Sequence, residues 1–373
     1  MRPLIVDLGK DFRGGQHQAL LLLQGLSARG HVPELIAIRN SLLMERAQDA
    51  GISVRGVAPG NRRLAAAWNI RRLVRGGSVD VVHANEPHAL SSAWLARAHR
   101  SVPVIASRRI ALPLSPNYFS LARYRAAARI VAVSHFVEQS VIASGLPAST
   151  VDVIYDGVEI PPEASLADRE TARGQLGISR ETVCIGNVAA FVPEKGHALL
   201  VRAFAELRKI FPTELRKPSQ QQVPRCVLLL RGEGPEQPAV RELARQLQIL
   251  DAINFLPPAT EIKTMFAATD VFAFPSHAEP LGSALLAAMA HKLPCVALAR
   301  GGVPEVIEDG KNGLLVNSLD PHAFATAIAH LLANPEEAAR IGKGARETTA
   351  ARFSADHMVD ATLRLYEEVT GDK

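Results

Sequence analysis

The sequence predicts an α/β protein made of two doubly wound domains in series. Three features carry the prediction. Short β-type runs alternate with amphipathic or alanine-rich helical stretches along the whole chain. The runs fall into two series with a Gly- and Pro-containing stretch between them. A length of 373 residues exceeds what one ordinary core accommodates. In the first series the runs are residues 4–6, 35–38, 79–82, 104–106, 130–133 and 151–154, with helical segments such as 16–29 and 88–99 between them. The second series is 183–186, 227–230, 253–255, 271–274, 294–298 and 313–316. Two Rossmann-like domains follow. Their junction falls near Gly157-Val-Glu-Ile-Pro-Pro-Glu163, which gives a first domain of 1–163 and a second of 164–352. The polar stretch 212–224 reads as a surface insertion, and the helical tail 353–373, with no strand after it, is expected to cross back to the first domain.

Composition narrows the class. At 47% hydrophobic and 21% charged the chain is globular, and no apolar run approaches the roughly 20 residues that span a bilayer. The start, Met-Arg-Pro-Leu-Ile-Val-Asp-Leu-Gly, has the apolar stretch of a first strand and lacks a signal-peptide cleavage region, so a cytoplasmic location is expected. Cys184, Cys226 and Cys295 each lie in an apolar run, as buried free thiols do, and no His/Cys spacing suggests a metal.

The net charge of +5 is unevenly spread: residues 1–163 hold 19 Lys and Arg against 12 Asp and Glu, leaving 23 against 25 for the remainder. An arginine-rich half suits an anionic membrane or a phosphorylated substrate. Nucleic acid is the least favoured partner, because no helix-turn-helix, zinc finger or aromatic RNA-binding strand is present.

One segment reads directly as a ligand site. The strand Val271-Phe-Ala-Phe274 ends at Pro275, a loop carries Glu279, and Gly282-Ser283 opens an apolar helix. Free N–H groups and the positive end of that helix would face an anion, with Glu279 at the mouth accepting hydrogen bonds from hydroxyls. In the first half, Gly14-Gly15 after the first strand would let backbone N–H groups approach a phosphate at a helix expected to start near Gln16. His83 ends a strand on the side where ligands sit, and Arg108-Arg109 suits a phosphate or carboxylate.

The order of motifs resembles the GT-B fold glycosyltransferases of family 4 over nearly the whole chain. Seven segments carry the resemblance: Arg13-Gly-Gly15, Val81-Val-His83, Val131-Ala-Val-Ser134, Val153-Ile-Tyr-Asp-Gly157, Glu194-Lys195-Gly196, Gly232-Glu-Gly-Pro235, and the Glu279 loop with Gly301-Gly-Val-Pro-Glu305 and Asn312-Gly-Leu-Leu315. The resemblance implies two Rossmann-like domains facing across a cleft and transfer of a sugar from a nucleotide-sugar with retention of configuration. No metal ion or other cofactor is expected. The implied donor-binding residues are Gly14, Gly15, Lys195, Glu279, Leu281, Gly282 and Ser283, with Lys195 against the diphosphate as the leaving group gains charge and Glu279 on the donor sugar. His83, Arg108 and Arg109 fall to the acceptor or the cleft. The implied acceptor is a cell-envelope glycan or lipid-linked molecule such as lipopolysaccharide core.

The chain departs from the family pattern in three places. Eight residues after Glu279 the family carries a second acid, and here it is Ala287; five residues before Lys195 members often carry arginine, and here it is Ala190. Each lost contact costs on the order of 1.5–3 kcal/mol if its partner group is left unpaired. Ser107-Arg108-Arg109 stands where many members carry a histidine. The two alanines support an alternative, a glycosyltransferase-like binding or scaffolding protein; against it, Lys195, Glu279 and the glycine loops persist. A dehydrogenase is disfavoured because no Gly-x-Gly-x-x-Gly follows the first strand.

Peripheral membrane contact is the remaining expectation. Residues 62–75 form a basic helix containing Trp68, and 113–125 add Tyr118, Phe119 and Tyr124 in a basic setting. Trp68 itself is expected to pack inward, as in an ordinary sheet-covering helix.

Overall fold

The computed structural model describes residues 1–115, 117–214 and 225–371. The chain divides into two compact units, Met1–Gly157 with Phe353–Lys373, and Val158–Arg352. The sequence reading placed residues 158–163 with the first domain; they cluster with the second. Residues 215–224 of the expected surface insertion lie outside the described residues.

The first unit is a parallel sheet of β1 (Pro3–Val6), β2 (Glu34–Ile38), β3 (Ser53–Val57), β4 (Val81–Ala84), β5 (Val104–Arg108), β6 (Arg129–Ala132) and β7 (Val151–Val153). The order is β3-β2-β1-β4-β5-β6-β7, so the winding reverses between β1 and β4. The sequence reading missed β3. Its Ser-Val-Arg-Gly-Val is an edge strand, half exposed, with Arg55 paired to Glu34 of β2, so it lacks the continuous apolar pattern of an inner strand. The central strands have that pattern because helices cover both faces: Leu4, Ile5 and Val6 are all buried.

The Ala355–Thr370 helix packs on the Gly14–Ala28 helix. Ser354 starts it by accepting a hydrogen bond from His357 N–H. Its buried stripe is Met358, Val359, Thr362, Leu363, Leu365 and Tyr366, and each large apolar member contributes roughly 1.5–3 kcal/mol of burial. Close approach requires Gly25, where a Cβ would lie 2.4 Å from Val359 Cγ2.

The second unit repeats the scheme with β8 (Val183–Val188), β9 (Cys226–Arg231), β10 (Ile253–Leu256), β11 (Val271–Phe274), β12 (Cys295–Leu298) and β13 (Leu314–Val316), in the order β10-β9-β8-β11-β12-β13. Its core gathers Phe191, Leu200, Phe204, Leu228, Leu230 and Phe324. The three cysteines are free and buried, and burial raises their thiols, that of Cys184 to about 12.

Candidate active site

In the second unit the crossovers diverge at β8 and β11, which opens a gap at the C-terminal ends of those strands, where open parallel sheets hold ligands. The loop after β8 contains the Pro193–Lys195 turn, closed by Gly196 at φ +69°. A Cβ there would lie 2.2 Å from the Pro275 carbonyl oxygen, and one at Gly301 (φ +61°) would lie 2.1 Å from that of Glu279. Only glycine satisfies both the backbone angle and the approach. His277 N–H also donates to the Glu194 carbonyl at 3.0 Å. These contacts fix the two loops against each other and bring Lys195 Nζ to 2.6 Å from Glu279 Oε2. The Glu279 side chain is 9% exposed and that of Lys195 24%, so the pair is largely shielded from water.

Beside the pair, Gly282 (φ +107°) begins the Ser283–Ala290 helix without a side-chain cap. The first helical bond runs from Leu286 N–H to the Gly282 carbonyl at 2.9 Å. The N–H groups of Ser283, Ala284 and Leu285 precede it and have no acceptor within the helix. An ammonium, a bare helix start and a carboxylate thus stand together. The first two favour an anion; the third accepts from hydroxyls. Leu281 of the same loop is buried.

In the first unit a polar network forms at the equivalent edge. Asp7 follows β1, Asn85 follows β4, Arg109 follows β5, and Asp156 lies three residues past β7. Asp7 accepts from Gln16 Nε2 at 3.0 Å and from Asn85 Nδ2 at 2.6 Å. Arg109 donates from Nε to Asp156 at 3.0 Å and from Nη1 to Asn85 Oδ1 at 2.6 Å. Burial raises the Asp156 carboxyl, opposed by the Arg109 charge, and burial likewise raises Glu86, which caps the next helix through His88 and Ala89 N–H. Sequence reasoning did not nominate Asp7, Gln16, Asn85 or Asp156. Their one signal was position, a polar residue within three of the C-terminal end of a strand or at the start of the next helix.

Three expectations for this unit are corrected. The helix begins at Gly14, not Gln16, with Arg13 as its N-cap. Neither Gly14 nor Gly15 has a positive φ, and a Cβ at Gly15 would meet only Arg109 Cδ, at 3.9 Å; what Gly15 provides is open space over the helix start. Arg108 and Arg109 are not a free pair of cations: Arg108 is buried and donates to the Leu112 carbonyl, and Arg109 is matched by Asp156. His83 does not line a ligand surface. It is 3% exposed, with Nδ1 2.6 Å from the Tyr366 hydroxyl and Nε2 2.7 Å from Ser107 Oγ. Burial, aided by the Arg109 charge, lowers its pKa to about 3, so it is a neutral core residue joining β4, β5 and the C-terminal helix.

Known proteins resemble this chain in sequence and fold. The model of the family "Glycosyl transferases group 1" matches residues 168–348 and that of "Glycosyltransferase Family 4" matches 12–160. A D-inositol 3-phosphate glycosyltransferase of Saccharomonospora viridis is 30% identical over 313 residues, 78% of this chain and 70% of the relative. The chain belongs to glycosyltransferase family 4. Two solved structures show the fold at full length. A glycosyltransferase from Rickettsia africae superposes with a TM-score of 0.85 at 20% identity, covering 100% of this chain and 99% of that one. Anabaena HepE, solved with UDP and glucose, gives 0.81 at 22%, covering 98% and 99%. The fold is GT-B, and the protein is a glycosyltransferase.

Of the positions that the sequence reading set against the family pattern, Ala190 is exposed in the loop after β8 and Ala287 is half-buried one turn into the Ser283–Ala290 helix. Arg231, at the end of neighbouring β9, does not stand in for an arginine at 190. Its guanidinium donates to the Thr260 and Pro258 carbonyls and holds the loop after β10. Two buried polar atoms missed from sequence, Asn187 Oδ1 and Ser276 Oγ, lie at the ends of β8 and β11 with no hydrogen-bond partner. Among the described residues no group of three or more His, Cys, Asp and Glu is arranged to hold a metal ion.

The basic helix Arg62–Arg75 corrects a further expectation. Trp68 faces outward, 61% exposed, with the Arg72 guanidinium 5.6 Å from its ring centroid. Ala66, Ala67, Ile70 and Leu73 form the inward stripe instead. Tyr118 and Phe119 are 75% and 66% exposed, whereas Tyr124 is buried. The Arg62–Arg75 and Tyr118–Arg125 helices both pack on the Pro87–Leu95 helix. No helix among the described residues is long and apolar enough to cross a membrane.

Proposed function

We propose that the protein transfers a sugar, with retention of configuration and without a metal ion, from a nucleotide-sugar to a cell-envelope glycan or lipid-linked acceptor such as lipopolysaccharide core. The carrying observation is the Lys195–Glu279 pair beside the uncapped start of the Ser283–Ala290 helix. Donor binding divides the pair: the diphosphate takes Lys195 and the helix N–H groups, and sugar hydroxyls take Glu279. As the bond from the anomeric carbon to the diphosphate breaks, the leaving oxygen gains charge, and a fixed ammonium in a shielded site stabilises that charge more than water does. HepE, whose fold this chain shares, was solved with UDP and glucose, which supports a uridine nucleotide as the first donor to test.

Thermal-shift and calorimetric titration with UDP-, GDP-, ADP- and CMP-linked sugars tests the donor. One nucleotide class should raise Tm and bind saturably; no binding by any of the four overturns the assignment.

The acceptor is read from the first unit. The exposed Leu64, Trp68, Tyr118 and Phe119 occur with Arg62, Arg63, Arg71, Arg72, Arg123 and Arg125, a combination suited to peripheral contact with anionic lipid on the cytoplasmic face of the inner membrane. Vesicles containing anionic lipid should therefore cosediment the protein at low salt. Raising salt to about 0.5 M, where the screening length falls below roughly 5 Å, should release it, and so should Trp68→Ser with Phe119→Ser. Equal binding to neutral vesicles, or none to either, removes the membrane from the reading. A second acceptor, a soluble inositol phosphate, is favoured by the likeness to the Saccharomonospora viridis D-inositol 3-phosphate glycosyltransferase. Assaying both acceptors with the donor found above separates the two.

A further inference from the structure

The arginines that the sequence reading set aside for a phosphate, Arg108 and Arg109, are occupied by protein partners. Three others in the same unit are not. Arg62 and Arg63 open the Arg62–Arg75 helix, and Arg123 lies on the Tyr118–Arg125 helix. Among the described residues none of the three takes part in an ion pair.

The topology brings them together. Parallel strands β3 and β4 lead into the Arg62–Arg75 and Pro87–Leu95 helices, which pack on each other, so both helices start at the C-terminal edge of the sheet, where ligands sit. His88 is the second residue of the latter helix and is half-buried. Burial lowers its pKa, and the charges of Arg63, Arg62 and Arg123 lower it further. Ser91, one turn beyond His88, accepts from Arg123 Nη1, while Arg123 Nε donates to the Phe119 carbonyl at 3.0 Å. These two bonds fix the guanidinium beside the start of the Pro87–Leu95 helix and leave Nη2 without an acceptor among the described residues. Arg62 and Arg123 are half-buried and Arg63 is exposed, so the cluster opens to solution. One carboxylate is near, that of Glu86, and its oxygens are already engaged by the Leu8, His88 and Ala89 N–H groups.

Three like charges held around one helix start repel one another until an anion joins them. Guanidinium groups match phosphate oxygens in geometry, and three cations balance a dianion more completely than a single negative charge. We propose that Arg62, Arg63 and Arg123, together with His88, form a binding site in the first unit for a phosphomonoester. Its use, to hold a phosphate carried by the acceptor, rests on the transferase reading above; the binding itself does not. The phosphate arrives either on a soluble sugar or polyol or on a lipid headgroup.

The test is a ³¹P NMR titration of the full chain with inorganic phosphate as the probe. It is run on Lys195→Ala, so that phosphate held at the donor pair does not mask the result. Adding Arg63→Gln or Arg123→Gln should each weaken saturable binding by about tenfold, the lower end of what one charge-assisted hydrogen bond contributes. Arg75→Gln, roughly 18 Å from Arg63 along the same helix, should leave binding unchanged. Arg63→Gln decides the matter if Arg123→Gln, which also loses the Ser91 bond, does not fold. Absence of saturable binding, or an equal loss in Arg75→Gln, which would mean diffuse surface charge, overturns the proposal. Flotation with vesicles of equal surface charge then identifies the source. Preference for phosphatidic acid, a monoester, over phosphatidylglycerol, a diester, assigns the site to a lipid headgroup; equal binding assigns it to a soluble phosphate. Titration of the native protein with nucleotide-sugar reports the donor site separately, so failure here leaves the transferase reading untouched.

Discussion

Glu279→Gln should lower kcat/KM by about 10- to 150-fold, the range that loss of one charge-assisted hydrogen bond of about 1.5–3 kcal/mol gives. Glutamine keeps the shape of the side chain but takes away the negative charge 2.6 Å from Lys195. Lys195 is then a largely shielded ammonium without its counter-ion, and breaking a buried pair from one side costs up to about 3–5 kcal/mol of stability. Lys195 keeps about a quarter of its side chain in water, so the lower end of that range is expected. Lys195→Ala should behave differently. If its ammonium meets charge that develops only as the diphosphate leaves, kcat falls while KM for the donor changes little. Steady-state kinetics of both single variants and the double variant check this. A rise in KM alone for Lys195→Ala would show that Lys195 merely binds the ground state. Purely additive losses would show that the two side chains do not act as a unit.

Acidification should destabilise the first unit through His83. His83 is buried without charge and has a folded pKa of about 3 against an ordinary value of 6.5. Between those values the unfolded chain binds a proton that the folded chain refuses, so stability is present above pH 6.5 and falls as the pH drops through the window. The slope is about 1.4 kcal/mol per pH unit for one proton, or about 2 kcal/mol lost by pH 5. Asp156 and Glu86, raised by burial, act in the opposite sense, because the folded chain takes up their protons first as pH falls. Comparing wild type with His83→Gln cancels their contribution. Both tryptophans, Trp68 and Trp94, lie in the first unit, so their fluorescence in denaturant titrations at pH 7, 6 and 5 reports on the unit that holds His83. The wild-type slope should exceed that of the variant by close to one proton. Equal slopes would mean that His83 already titrates normally in the folded protein.

The fold was legible in the sequence because a strand buried on both faces is largely apolar, and inner strands such as Pro3–Val6, Cys226–Arg231 and Val271–Phe274 show that run. The edge strand β3 escaped because half of it faces water, which releases the pattern. The second-unit site was legible for a related reason. An acid in the loop and a glycine at a helix start are local features written in consecutive residues, and Glu279 and Gly282 were read that way, whereas Lys195 was reached through the resemblance to the family. Side-chain partnership was not legible. Whether His83 meets a ligand or the Tyr366 hydroxyl depends on a residue 283 positions away. Whether Arg109 is a free cation depends on Asp156, 47 positions away. Whether Trp68 points in or out depends on which stripe of its helix finds the sheet. The sequence by itself determined most of the segments that become strands and helices and the loops where glycine must bend the chain, since those follow from local sterics and periodicity. The tertiary structure alone decided which polar side chains neutralise one another and which are left to meet a substrate, because charge and hydrogen-bond pairing are settled by distance in space and by exclusion of water.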